Sequence, residues 1–147
     1  GRPEEALPVL EATLVLLRRY WSHDEHSFLV IQGDLANCLD ELGRNDAALV
    51  LKREIYAGAV ALLGVSHEDT IGCGGNLVGS LIVQKRFDEA RSLLREQLLP
   101  VAQRTLGADH NFTLTLKRNL AATLTNNPDC IRDDLIEAET IMQDVVQ

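Results

Sequence analysis

Leu63-Gly64-Val65-Ser66-His67 opens a stretch that runs on through Thr70 to Asn76-Leu77 and Leu81. The same order returns 43 residues later as Leu106-Gly107-Ala108-Asp109-His110, with Thr113, Asn119-Leu120 and Leu124 in step. Working back toward the N-terminus, Leu35-Ala36 and Leu39 precede Leu77-Val78 and Leu81 by 42 residues. A recurrence of this length marks stacked units, each one supersecondary piece that cannot bury its apolar face alone. Ala48, Ala90 and Ala138 recur as well, the last displaced by about five residues inserted in the polar loop 126–132.

Within each unit two apolar-periodic segments flank a polar turn. The spacing of Leu35, Leu39 and Leu42 is helical, not the alternation of a strand. Gly43, Gly64 and Gly107 stand where a left-handed residue ends a helix. Asn45 or Asp46, Ser66 and Asp109 are the candidate N-caps of the helices that follow. The pattern predicts helices at 4–19, 27–42, 46–63, 67–84, 88–106, 110–125 and 133–146. Each has one apolar stripe and depends on its neighbours for stability. The recurring leucines are expected to face the second helix of their own unit, and the three alanines to let helices approach closely. Phe87 is expected to plug the turn of the middle unit, where the other units carry Asn45 and Leu135.

The linker Leu-Gly-x-x-His, the Asn76-Leu77 and Asn119-Leu120 pairs and the alanines of the second helices resemble tetratricopeptide repeats of the kinesin light chain kind. That family often carries Leu-Gly-x-x-His-Pro-x-Thr; here Glu68 and Asn111 stand in place of the proline. The resemblance implies an all-α fold, a right-handed alpha-alpha superhelix with about three complete helix pairs plus a leading helix. Residues 1–147 then form a single solenoid, with 4–19 the second helix of a truncated repeat and 27–63, 67–106 and 110–147 the repeats. It also implies a concave surface lined by the first helix of each pair. Transferred position by position, the partner-binding candidates are Asn37, Asp40 and Glu41, then Gly75, Asn76 and Gly79, then Arg118, Asn119 and Asn126. An asparagine amide both donates and accepts, so it can hold an extended peptide through its backbone. Asn76 and Asn119 can equally cap or cross-link neighbouring helices, and both readings stand. Asp40 and Glu41 would attract a basic residue, and Lys117 and Arg118 an acidic one. The expected function is a non-catalytic module that binds a partner protein or peptide. The alternative is a structural spacer in a larger protein.

Composition narrows the field. Twenty-two acidic against 14 basic residues, a net charge of −8, argue against a nucleic-acid partner. Aromatic residues make up only 4%, so the core is built from aliphatic side chains. No apolar run approaches the ~18 residues of a membrane span. Cys38, Cys73 and Cys130 are too scattered for a disulfide framework or a zinc cluster, which fits a cytoplasmic or other intracellular setting. His23 and His26 beside Asp24 and Glu25 are too loosely placed for a metal site. The glycines at 72, 74, 75 and 79 lack the lysine and preceding strand of a phosphate loop. Their expected role is close approach, either of an adjacent helix or of a ligand backbone. His67 and His110 recur at linkers and are expected to join helix ends. No nucleophile, base or cofactor site emerges, so no enzyme activity is expected. Tyr20, Trp21 and Phe28 form the one aromatic cluster, expected to seal the leading helix, and exposed terminal faces offer a route to self-association.

Overall fold

A helix with a single apolar stripe is stable only when that stripe is covered, and within each of its two units the chain satisfies this by packing helix against helix. The computed structural model describes residues 2–20, 25–128 and 130–146, and holds helices and connecting turns with no strand among them. The helices are α1 (Pro3–Tyr20), α2 (Glu25–Glu41), α3 (Asn45–Leu63), α4 (Glu68–Val83), α5 (87–105), α6 (Asn111–Thr125) and α7 (Arg132–Val146). Their edges fall within two residues of those expected from the sequence. Trp21, His23 and the side chains of Tyr20 and His26 lie outside the described residues.

The chain divides into two units, residues 1–64 and 65–147. In the first, α2 packs between α1 and α3. Ala36 and Leu39 of α2 and Ala48, Leu49, Ile55 and Ala59 of α3 are buried, while Leu35 is only half-buried. Gly58 lies so close to α2 that an added Cβ would sit 3.1 Å from Leu29 Cδ2, which explains the missing side chain. The Lys52 ammonium on α3 meets the Asp40 carboxylate on α2 at 2.5 Å, and its side chain is only 10% exposed. A buried ammonium needs such a partner, so this pair fixes how the two helices face one another.

In the second unit α4 packs on α5 and α6, and α6 packs on α7. Its core joins Ile71, Val78 and Leu81 of α4 to Leu94 and Ala102 of α5 and to Leu116 and Leu124 of α6. Ala90 and Ala138 are buried like Ala48, as the recurrence predicts. Phe87 is buried at the start of α5. The α5 helix is not uniform, a feature the sequence reading missed. Its α-helical segments Phe87–Leu93 and Leu99–Thr105 are joined by a π-helical turn, Leu94–Leu98, in which the Leu99 N–H donates to the Leu94 carbonyl five residues back. Pro100 has no N–H to give the Glu96 carbonyl and its ring would crowd that oxygen, so the widened turn accommodates it.

Three of the helix ends follow the glycine rule. Gly43, Gly64 and Gly107 all have positive φ. The α2–α3 turn closes with the Arg44 N–H donating to the Leu39 carbonyl at 2.8 Å, and the α4–α5 turn repeats this from Arg86 to Leu81 at 2.8 Å. At the position of Gly43 the second turn carries Lys85, held at φ 58. A side chain in this left-handed region costs about 1 kcal/mol. Lys85→Gly is therefore expected to stabilise the protein by about that amount in urea titration; a loss of stability would show that the lysine stem contributes more by packing than its backbone costs.

The helix starts correct the sequence reading. Ser66 and Asp109 are not the caps. The N-cap residues of α4 and α6 are His67 and His110, whose extended backbones aim the ring into the helix's first turn. The Asp69 N–H donates to His67 Nδ1 at 3.2 Å and the Phe112 N–H to His110 Nδ1 at 3.3 Å. With Nδ1 accepting, the proton sits on Nε2, and in His110 that nitrogen lies 3.7 Å from a Glu68 carboxylate oxygen at the start of α4. His110 thus joins two helix ends, as expected, whereas the contacts of His67 are with Asp69 of its own helix. Before α3 neither Asn45 nor Asp46 caps; Arg44 holds that position without a side-chain hydrogen bond.

Candidate functional site

Along α4 positions 70, 71, 74, 77, 78, 80 and 81 are buried, and Asp69, Cys73, Asn76, Gly79 and Val83 lie outside that set. The α6 helix repeats the arrangement, with Thr115, Arg118, Asn119, Ala122 and Asn126 outside the buried set. Because α4 packs on α6, the second unit carries two such stripes on adjoining helices. Asn76, Arg118 and Asn126 are exposed, and Asn119, Gly79 and Gly75 half-buried. In the first unit α2 exposes Asn37 and Glu41.

The nine expected contact residues are not equivalent. Asp40 is held by Lys52, so its carboxylate serves the α2–α3 pair. Gly75 faces Leu116 of α6, whose Cδ2 would lie 3.7 Å from an added Cβ. Gly72 likewise meets the Phe112 ring at 3.4 Å, so at these two glycines the close neighbour is the adjacent helix. Gly79 differs, because an added Cβ would meet nothing within 4 Å. No protein neighbour accounts for the missing side chain there.

The asparagines do not share one register. The spacing that superposes Leu35 on Leu77 and Leu120 sets Asp34, not Asn37, in line with Asn76 and Asn119. Asn37 corresponds to Gly79 and Ala122, and Glu41 to Val83 and Asn126. Asp34 is exposed and was missed by the sequence reading, although the leucine alignment already placed it. Position by position, the stripe residues are acidic on α2 (Asp34 and Glu41), uncharged on α4 from Asn76 to Val83, and cationic on α6 (Arg118).

Burial pushes the Cys73 thiol up from its ordinary value and the nearby Asp69 carboxylate adds to the shift, so the group is held as a neutral thiol. The three cysteines are free. Among the described residues no group of three His, Cys, Asp or Glu side chains is placed to hold a metal ion, and no helix is long and apolar enough to cross a membrane.

Residues 70–111 match the tetratricopeptide repeat family. No curated protein matches the chain in sequence. Among solved structures it is similar to the kinesin light chain nearly identical TPR-like repeats of Podosopora anserina, with TM-score 0.79 and 22% identity over 99% of this chain and 66% of that one. A variant of that protein gives TM-score 0.81 and 24% identity, over 99% and 66%. BtubC (BKLC) from P. vanneervenii gives TM-score 0.82 at 16% identity, covering 99% of this chain and 55% of its own. The chain thus spans slightly less than two thirds of the first two and just over half of the third. At these identities the likeness establishes a shared fold of tetratricopeptide-type helix pairs.

Proposed function

We propose that this run of tetratricopeptide-type helix pairs is a non-catalytic module that binds a partner polypeptide along the outward stripes of its first helices. Gly79 carries the reading. It sits one turn beyond the exposed Asn76 in a helix interior, where glycine costs about 1 kcal/mol relative to alanine, and no protein neighbour fills the space its side chain would take. A ligand backbone lying against α4 accounts for that loss, with the Asn76 and Asn119 amides donating to and accepting from it. On the second unit Asn126 extends the candidate contacts and Arg118 offers a cation to an acidic residue or terminal carboxylate of the ligand; Asn37 and Glu41 are the candidates on the first unit, taken by itself.

Affinity capture with this chain as bait, repeated with an Asn37→Ala, Asn76→Ala, Asn119→Ala bait, tests the reading. The triple variant is expected to lose the specific partner, and equal recovery by both baits would remove the asparagines from the interface. Gly79→Ala adds a sharper signature. It is expected to raise stability by about 1 kcal/mol while weakening capture, the trade-off of a site kept open for function. A gain in stability with undiminished capture would remove α4 as a ligand track.

A further inference from the structure

Two turns with the same backbone carry different residues. In the α2–α3 turn the Gly43 N–H donates to the Asp40 carbonyl at 2.9 Å and the Arg44 N–H to Leu39 at 2.8 Å; in the α4–α5 turn Lys85 donates to Ile82 at 2.9 Å and Arg86 to Leu81 at 2.8 Å. Gly43 adopts the left-handed backbone, φ 72, without strain, whereas Lys85 adopts it at φ 58 with a full side chain. No polar contact offsets that strain. The Lys85 ammonium has no hydrogen bond or ion pair among the described residues, while the neighbouring Arg86 is held by Glu89 at 2.6 Å. Lys85 follows closely on Val83, which is 68% exposed, and stands at the same end of α4 as Gly79, whose missing side chain no protein neighbour explains. A strained backbone carrying an unengaged charge at the end of the α4 track points to a contact outside the chain.

We propose that Lys85 is a selectivity residue, a role that rests on the reading of α4 as a ligand track: it receives an acidic side chain of the bound peptide, next to an aliphatic residue lying on Val83. The charge pattern defines the occupant. Although the chain carries a net charge of −8, residues 70–86 and 111–125 hold no carboxylate side chain, and their charged residues are Lys85, Arg86, Lys117 and Arg118. Of the carboxylates that follow Lys85 in sequence, Glu89 is held by Arg86 and Asp88 lies 3.5 Å from Arg91. An incoming carboxylate therefore meets at Lys85 a cation that the protein does not itself engage, and a basic ligand residue meets a like charge. In the first unit the equivalent positions are reversed. Glu41 stands at the position of Val83 and Gly43 at that of Lys85, and residues 28–44 carry Asp34, Asp40 and Glu41 beside the single cation Arg44. The end of α2 thus offers neither the apolar contact nor the lysine, so the preference for an acidic residue belongs to the second unit.

Pools of short labelled peptides, amidated at the C-terminus and randomised except for a central glutamate, glutamine or lysine, serve as the probe, passed over the immobilised intact chain. The glutamate pool is expected to be retained about threefold more than the glutamine pool, and the lysine pool least. Lys85→Arg should keep this order. Lys85→Gly is expected to lower the glutamate preference by about half or more while raising the urea midpoint, and Lys85→Glu to lower it further. A glutamate preference that survives Lys85→Gly, or that Arg118→Gln alone abolishes, overturns the proposal. So does a urea midpoint that falls in Lys85→Gly, which would mean the lysine stem is kept for packing. Asn76→Ala separates this role from the reading beneath it. Retention of the glutamine pool that falls in Asn76→Ala, with no response to the Lys85 variants, would leave the track standing and remove Lys85 from it. Retention of no pool above background would remove the track, and the role of Lys85 with it.

Discussion

Leu81→Ala is expected to cost about 3 kcal/mol, within the 2–5 kcal/mol typical of a leucine truncated at a fully enclosed site. Leu81 is completely buried, as is its equivalent Leu124, and the loss combines transfer of the side chain with the cavity left between packed helices. Leu124→Ala should match it. Leu35→Ala, at a half-buried position, should cost clearly less, about 1–2 kcal/mol. Urea unfolding followed by circular dichroism reads all three. Equal losses for Leu35 and Leu81 would mean that the burial of α2 and α4 is misassigned.

Asp40→Ala is expected to destabilise the first unit by about 2–3 kcal/mol, because it leaves the nearly buried Lys52 ammonium without its carboxylate. The Asp40 side chain is 33% exposed, so water reaches the site and the loss stays below that of a wholly enclosed pair. Lys52→Met removes the buried charge itself and keeps the aliphatic volume, so it should cost less than about 1 kcal/mol. The asymmetry between the two variants is the signature of a desolvated ion pair. Equal costs would reduce it to an ordinary surface contact.

The helices were legible because the information lay in spacing. The leucine recurrence set the register, and Gly43, Gly64 and Gly107 marked helix ends that do adopt positive φ. What the sequence hid depended on neighbours distant in the chain. The Asp40–Lys52 pair forms across two helices, so Asp40 read as an open acid. The glycines of α4 looked alike, yet Gly72 and Gly75 meet α6 while Gly79 meets nothing. Ser66 and Asp109 have the usual cap chemistry but stand one residue too early, and the histidines after them hold the cap position. Pro100 was the available signal for the π turn, since a helix cannot pass a proline without losing a hydrogen bond. At the stripes, the asparagines drew attention by residue type, while the register that links Asp34 to Asn76 and Asn119 went unread.

Amide hydrogen exchange of the chain, with and without a captured peptide, tests the proposed interface most directly. Binding along the first helices predicts slowed exchange on α4 and α6 around residues 76–83 and 119–126, with the solvent-facing surfaces of α5 and α7 unchanged. Protection confined to α5 and α7, or none on α4, would contradict it.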